Sequence, residues 1–232
     1  MSYAMIRHTV KKRAPVLSKQ QFHHALKVAS ITRDPERNQL ILCMSHALGM
    51  RVTELARVTV DDFIYPSGRI RHEISLRSSI TKNSTGRVVP LANDLLIEHL
   101  ERYLAYRVDN RIGVPAASDD YRGLAPSLPL IFSGRGSGFG LSIKRRRLES
   151  GVDEEYLAAD GLESLFRHLY KISGIKGGSS HSGRRTYATR LAEAGVDIED
   201  IARLLGHDNV NYTLVYLDVS PKAIRQAFEM AV

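Results

Sequence analysis

The chain has 232 residues, 43% hydrophobic and 25% charged, a globular composition with enough length for one large core or two modest ones. A single cysteine, Cys43, excludes an internal disulfide framework and a multi-thiolate metal site. The net charge of +8 suits a polyanionic partner without identifying one. Residues 1–33 hold Arg7, Lys11, Lys12, Arg13, Lys19, Lys27 and Arg33 and no acidic side chain, nearly the whole excess. Residues 1–16 therefore read as a basic arm ahead of a folded body. They lack the apolar centre of a secretory signal, and no apolar run is long enough to span a membrane, so an intracellular protein without a membrane partner is expected.

Ser18 and Gln21 have capping-box spacing and predict a helix that buries Phe22, Ala25, Leu26 and Ala29. A second helix over residues 36–48 buries Leu40, Ile41, Met44 and Leu48, takes Cys43 into the core and stops at Gly49. Ile70, Ile74 and Leu76, then residues 87–91, predict two short antiparallel strands. The polar turn Thr81-Lys82-Asn83-Ser84-Thr85-Gly86 between them projects Lys82. Helical spacing returns over residues 94–106. Residues 109–140, rich in Gly, Pro, Ser and Asp, read mostly as a surface loop. Lys144, Arg145, Arg146 and Arg147 form the densest basic cluster, followed by acidic residues 153–155. Helices follow over residues 162–172, closed by Gly174, over 182–194, closed by Gly195, and from Asp197 to a stop at Gly206. One compact mixed α+β domain, mainly helical, is expected.

Little of the chain carries a familiar chemical motif. Gly134-Arg135-Gly136-Ser137-Gly138 lacks both a Walker lysine and the dinucleotide pattern and reads as a turn. His23 and His24 diverge on a helix, and there is no HExxH, so a metalloenzyme is disfavoured. The informative segment is His181-Ser182-Gly183-Arg184-Arg185. His181 and Arg184 can share one side of a helix start, where phosphate is attracted and arginine adds a fixed fork of donors. Leu205-Gly206-His207 follows one helix later, and Tyr216 lies nine residues beyond that histidine. Taken singly, these residues also fit a solvated arginine, a capping histidine and a partly buried tyrosine.

As an ordered set they resemble the tyrosine recombinase, or phage integrase, family. In Ala47-Leu48-Gly49-Met50-Arg51-Val52-Thr53-Glu54-Leu55, Arg51 matches the first catalytic arginine and Glu54 the acidic partner of the site. Lys82 falls at the hairpin lysine position, before Val88-Val89-Pro90. His181-Ser182-Gly183-Arg184 is the H-x-x-R element, His207 completes the donor set, and Thr213-Leu214-Val215-Tyr216 places the nucleophile at Tyr216. Tyr212, one helical turn earlier, is the competing nucleophile, and the family spacing favours Tyr216.

The resemblance covers residues 17–220 and implies a catalytic domain over 17–219: mixed α+β, mainly helical, with a small antiparallel sheet. In size the chain is similar to the short fimbrial phase-switch recombinases. Residues 220–232 would be a C-terminal helix or tail exchanged between protomers. There are departures. Gly183 replaces the usual bulky apolar residue, which predicts looser packing, and residues 107–130 and 141–160 differ from compact members. The separate core-binding domain that normally precedes the catalytic one is absent from the sequence.

The implied activity is site-specific recombination of double-stranded DNA through a 3′-phosphotyrosyl intermediate, with no cofactor and no metal. Arg51, Arg184 and His207 would grip the phosphoryl oxygens, His181 assist proton transfer, Lys82 protonate the leaving 5′-oxygen, and Glu54 orient an arginine. Lys11, Lys12, Arg13, Lys144 to Arg147 and Arg185 are candidate DNA contacts. A dimer or tetramer on DNA, accessory DNA-binding proteins and a cytoplasmic, nucleoid-associated location complete the expectation. The alternatives are an architectural DNA-binding protein without autonomous recombination and a type IB topoisomerase-like strand transferase.

Overall fold

Helix α1 (Lys19–Ala29) starts as its sequence predicts. Ser18 Oγ accepts from the Gln21 amide at 3.1 Å while Gln21 Oε1 accepts from the Ser18 amide at 2.9 Å, and Phe22, Ala25, Leu26 and Ala29 are buried. These features come from a computed structural model, which describes residues 13–81, 86–115, 119–134, 136–147, 151–214 and 216–217. Among the described residues no helix is long and apolar enough to cross a membrane.

The organising element is α2 (Pro35–Ala47), buried at every position from Arg37 to His46 and packed against α5 (Asp94–Asp109) and α7 (Ser180–Glu193). A helix enclosed on all sides must satisfy its polar groups internally. Arg37 pairs with Asp34 at 2.8 Å and donates to Asn38, Gln39 donates to the Leu26 carbonyl, and His46 Nδ1 donates to the Leu42 carbonyl at 3.0 Å. Burial pushes the Cys43 thiol up to about 12, which makes it an inert core group.

Gly183 does the opposite of loosening this packing. A Cβ there would stand 2.0 Å from Ser45 Oγ and 2.9 Å from His46 Nδ1. The missing side chain is what lets α7 lie against α2, the reverse of the looser packing expected of a glycine here.

Two short helices, α3 (Val52–Leu55) and α4 (Val60–Phe63), lead to β1 (Glu73–Leu76). It pairs antiparallel with β2 (Arg87–Pro90), Ile74 opposite Val89 and Leu76 opposite Arg87. Ile74, Leu76 and Val89 face the core. Over residues 109–140 the described backbone is mostly irregular and mostly exposed or half-buried, as expected of a loop, with Leu124, Leu130, Ile131 and Phe132 buried. Arg107, wholly buried in α5, holds the segment by donating to the Pro129 and Leu130 carbonyls, each at 3.1 Å, with its guanidinium over the Phe132 ring. Composition announced the irregular backbone; the buried arginine that ties it down carries no local signal.

A second sheet is a two-stranded hairpin of β3 (Ser142–Arg147) and β4 (Asp153–Ala158), leading into α6 (Asp160–Ile172). Every residue of β3 is exposed. The register places Arg145 opposite Glu155, Arg146 opposite Glu154 and Arg147 opposite Asp153. The C-terminal part has a small cluster of its own, in which Ala188 of α7 packs with Ile201 and Leu205 of α8 (Ile198–Leu205), and Tyr187, Leu191 and Tyr216 cover them. Gly206 ends α8 in the left-handed region, φ 64°, as its place in the sequence predicts. A short helix α9 (Asn211–Leu214) follows.

Candidate active site

Three arginines meet at the C-terminal end of α8. The last carbonyls of a helix have no partner within it and carry the negative end of its dipole. Here Arg87 Nε donates to the Leu204 carbonyl at 2.9 Å, Arg184 Nη2 to Leu205 at 2.5 Å, and Arg51 Nη2 to Gly206 at 3.0 Å. The earlier Ala202 and Arg203 carbonyls accept from the His207 and Gly206 amides in the turn that closes the helix. Gly49, at φ 58°, shapes the turn whose carbonyl accepts from Arg184 Nη1 at 2.5 Å, and a Cβ there would strike the Tyr187 ring.

Glu54 holds the arginines together. No part of it reaches solvent. Its oxygens accept from Arg87 Nη1 at 2.8 Å and Nη2 at 2.6 Å in a two-point fork, from Arg51 Nη1 at 3.0 Å, and from the Arg51 amide at 2.8 Å. The last of these fixes the Arg51 backbone at the N-cap of α3. Burial pushes the Glu54 carboxyl up, but the Arg87 hydrogen bonds and the charges of Arg87, Arg184 and Arg51 outweigh it and hold the group down to about 2. Burial, reinforced by Arg51, lowers Arg184 to about 9, which leaves it cationic at neutral pH.

His207 follows Gly206 directly. Its Nε2 lies 3.0 Å from Arg184 Nη2 and its Nδ1 2.8 Å from Thr213 Oγ1. Burial, then Arg184, Arg51 and Arg87, lower its pKa to about 3, so the ring is neutral at physiological pH. His181 stands at the cleft rim in the first turn of α7, where partial burial, opposed by Glu163 and aided by Arg184 and Arg51, lowers its pKa. Tyr216 completes the group: its ring centre is 5.2 Å from that of His207, 6.4 Å from that of His181 and 5.5 Å from the Arg184 guanidinium carbon. Tyr212 is 64% exposed, with its ring centre 6.5 Å from that of His207.

Arg51, His181, Arg184, His207, Tyr212 and Tyr216 all line one open cleft of about 960 Å³. Its lining sets Arg51, Arg57, Lys144, Arg146, Arg167 and Arg184 against Glu154, Glu155, Asp160 and Glu163, a positive balance, with the imidazoles of His181 and His207 beside them. Such a site can bind a tetrahedral anion and present an imidazole to a proton beside it.

The other predicted residues separate. Lys82 lies outside the described residues, and its neighbour Thr81 lines the cleft. Lys11 and Lys12 also lie outside, and Arg13 is exposed. Residues 14–17 are fastened along α7, since the Leu17 amide donates to Thr186 Oγ1 at 2.9 Å and the Ala14 carbonyl accepts from Arg185. Arg185 is buried and turned to that contact, not to the surface expected of a DNA-binding residue.

Lys144 and Arg146 border the cleft, but the basic cluster is matched by acids: Lys144 with Asp160 at 2.5 Å, Arg145 with Glu155 at 2.7 Å and Arg146 with Glu154 at 2.5 Å. Arg147 is exposed opposite Asp153. Residues 218–232, with the proposed exchanged tail, lie outside the described residues. Sequence reasoning did not single out Arg87 or Thr213. The signal for Arg87 was a lone cation opening a strand that is otherwise apolar; for Thr213 it was a hydroxyl one turn before the tyrosine.

The phage integrase family profile matches residues 15–223. The chain belongs to the phage integrase family. Among curated members of that family it is 29% identical to tyrosine recombinase XerA of Pyrococcus horikoshii, over 88% of this chain and 58% of that protein. It is 28% identical to tyrosine recombinase XerC of Corynebacterium glutamicum, over 93% and 58%. The chain thus spans less than two thirds of the length of these relatives. The fold is similar to a crystal structure of XerA recombinase (TM-score 0.65, 24% identity, 95% of this chain and 66% of that one). It is also similar to the catalytic domain of bacteriophage HP1 integrase, where it covers 94% of this chain and 95% of that one (TM-score 0.53, 18% identity). The mixed, mainly helical architecture with small antiparallel sheets is the family's catalytic-domain fold.

Proposed function

We propose that this chain is a site-specific DNA recombinase, cleaving and rejoining strands of duplex DNA through Tyr216. The observation that carries the reading is the convergence of Arg51, Arg184, His207 and Tyr216, from three separate parts of the chain, on one positive cleft. The phenol oxygen of Tyr216 attacks phosphorus, a P–O bond to tyrosine forms, and the bond to the 5′-oxygen breaks. His181, whose pKa is lowered, takes the phenol proton; Lys82 supplies the proton that the departing 5′-oxygen needs. Arg51 and Arg184 bear on the non-bridging oxygens as phosphorus becomes five-coordinate, and His207 adds a hydrogen bond. Attack by a second strand's 5′-hydroxyl reverses each transfer and reseals the DNA, with no net change in the number of phosphodiester bonds. Glu54 and Arg87 orient Arg51.

Duplex DNA is the partner, and a dimer or tetramer forms on it; a XerH recombinase and the Tn1549 transposon integrase, which share the fold, are recorded in complex with DNA. Arg167 borders both the main cleft and a neighbouring hollow of about 290 Å³ lined by Lys171, Lys176 and glycine-rich backbone, with no carboxylate in its wall. Arg167 itself pairs with Glu163 at 2.9 Å, so within that surface Lys171 and Lys176 best suit a backbone phosphate beyond the reacting one.

A nicked suicide duplex, scanned across the DNA next to the coding region, tests the proposal. Covalent protein–DNA product that disappears in Tyr216→Phe supports it. Tight binding without covalent product leaves an architectural protein. Relaxation of supercoils without paired sites leaves a topoisomerase-like transferase, and product retained in Tyr216→Phe moves the nucleophile to Tyr212.

A further inference from the structure

Thr213 touches both reactive ends of the segment that links His207 to Tyr216. Its hydroxyl lies 2.8 Å from His207 Nδ1, its carbonyl accepts from the Tyr216 amide at 2.9 Å, and none of the residue reaches solvent. A buried hydroxyl costs free energy unless it is hydrogen-bonded, and valine would fill the same space without that cost. The hydroxyl is therefore there for its partner, and its partner is the imidazole.

Counting donors and acceptors gives the state of the ring. A guanidinium has only donors, so Arg184 Nη2, 3.0 Å away, makes His207 Nε2 an acceptor. A neutral ring then carries its proton on Nδ1, which donates to Thr213 Oγ1. In the reaction proposed above, His207 has to do the reverse and donate from Nε2 to a phosphoryl oxygen. Either a second proton arrives on Nε2, or the proton of Nδ1 is given up and Nε2 gains one. A carbonyl or carboxylate beside Nδ1 could serve only the first state, and an amide N–H only a bare Nδ1. A hydroxyl serves both, because rotation about its C–O bond turns an acceptor into a donor.

We propose that Thr213 is a positioning residue, whose hydroxyl lets His207 change from acceptor toward Arg184 to donor toward the phosphoryl group without moving the ring. The charged groups bearing on His207 are Arg184, Arg51 and Arg87, with Glu54 opposing them, and the Tyr216 and Tyr212 rings flank it. A bound phosphate would offset the three cations and favour a proton on Nε2. The inference rests on the strand-transfer reading, and its test separates the two.

Histidine ¹⁵N spectra of the free protein, assigned by loss of the signal in His207→Gln, should show Nδ1 protonated and Nε2 bare near pH 7. Nε2 should become protonated as inorganic phosphate is added. A free protein with its proton already on Nε2 overturns the inference, whatever the activity. Thr213→Val should retain the wild-type DNA affinity, cleave the nicked duplex about 10- to 100-fold more slowly at saturating DNA, and change the pH dependence of cleavage. Thr213→Ser should restore the rate to within about threefold and restore the pH profile. Equal rates for Thr213→Val and wild type, or a Ser variant as slow as the Val variant, count against it while leaving the recombinase reading intact. A wild-type chain that forms no Tyr216-dependent product ends that reading and this inference with it.

Discussion

Replacing Arg87 by methionine should destabilise the protein more than any exposed arginine can. The pair it makes with Glu54 is two-pointed, with 6% of the arginine side chain and none of the glutamate exposed. Removing one partner strands a buried charge, at a cost of about 3–5 kcal/mol. The carboxyl's own shift, set against burial by Arg87, Arg184 and Arg51 together, is of the same order. The pKa falls from 4.5 to about 2, which at about 1.4 kcal/mol per unit is about 3 kcal/mol of stability. A depressed carboxylate pKa contributes that stability above pH 4.5 and loses it as pH falls from 4.5 toward 2. In Arg87→Met the Glu54 pKa rises, so the gap between variant and wild type should be widest at pH 7 and narrow below pH 4.5. Urea denaturation at pH 7, 5, 4 and 3 measures this. The double variant Glu54→Gln/Arg87→Met should recover part of the loss, because no stranded charge remains. A single variant within about 0.5 kcal/mol of wild type at pH 7, or a gap that ignores acid, would refute the view that this pair organises the site.

Gly183→Ala should cost about 1–3 kcal/mol through overpacking against Ser45, and Ser45→Gly should relieve part of it; melting temperatures of the two single variants and the double decide the matter. His46 is buried and its pKa is lowered to about 3 by burial, so the folded state stays unprotonated where the unfolded chain takes up a proton. Stability should therefore be full above pH 6.5 and fall by about 2 kcal/mol by pH 5 from this group alone. His46→Phe should remove that part of the slope in denaturation curves at the two pH values. The hairpin ion pairs are exposed and should contribute less than about 1 kcal/mol each, so Glu154→Gln/Glu155→Gln should melt like wild type. If β3 meets DNA, the same variant frees Arg145 and Arg146 and should steepen the salt dependence of binding by about one unit per new phosphate contact. An unchanged slope places β3 away from the DNA.

What the sequence made legible was whatever is encoded within a few residues. The Ser18–Gln21 box, the stops at Gly49, Gly174, Gly195 and Gly206, and the inward faces of α1 and α5 are local patterns and appear in the structure. The polar residues of the cleft were recognised as an ordered set, since their spacing survives even where the intervening chain varies. What stayed hidden was contact between distant residues. Nothing near Arg87 announces a carboxylate 33 positions away, and nothing near Arg107 announces the carbonyls of residues 129 and 130. The β3–β4 hairpin escaped because its register pairs charge with charge, so neither strand alternates apolar with polar. Gly183 misled for a related reason: its role is set by Ser45, on another helix.

The contacts of the three arginines divide them by task. Both terminal nitrogens of Arg87 are bound to a carboxylate, the strongest acceptor in the site, so it has nothing to gain by turning to another anion. Arg184 donates to the carbonyls of Gly49 and Leu205 and to a neutral imidazole, while Arg51 keeps Nη1 on Glu54 and gives only Nη2 to a neutral acceptor, the Gly206 carbonyl. Hydrogen bonds from a cation to neutral acceptors are weaker than those to a phosphate oxygen. On the recombinase reading, the carbonyl end of α8 is a resting place from which Arg51 and Arg184 exchange partners when a phosphate enters, while Arg87 and Glu54 keep the frame. The free protein can then hold three cations together without a ligand and still lose little in releasing two of them. Phosphate binding should accordingly depend on Arg51 and Arg184 directly and on Arg87 only through stability. Inorganic phosphate titrated against the Arg51→Met, Arg184→Met and Arg87→Met variants, at a temperature where all remain folded, puts that division to measurement. Equal loss of phosphate affinity in all three would show that Arg87 also faces the ligand and that the division is wrong.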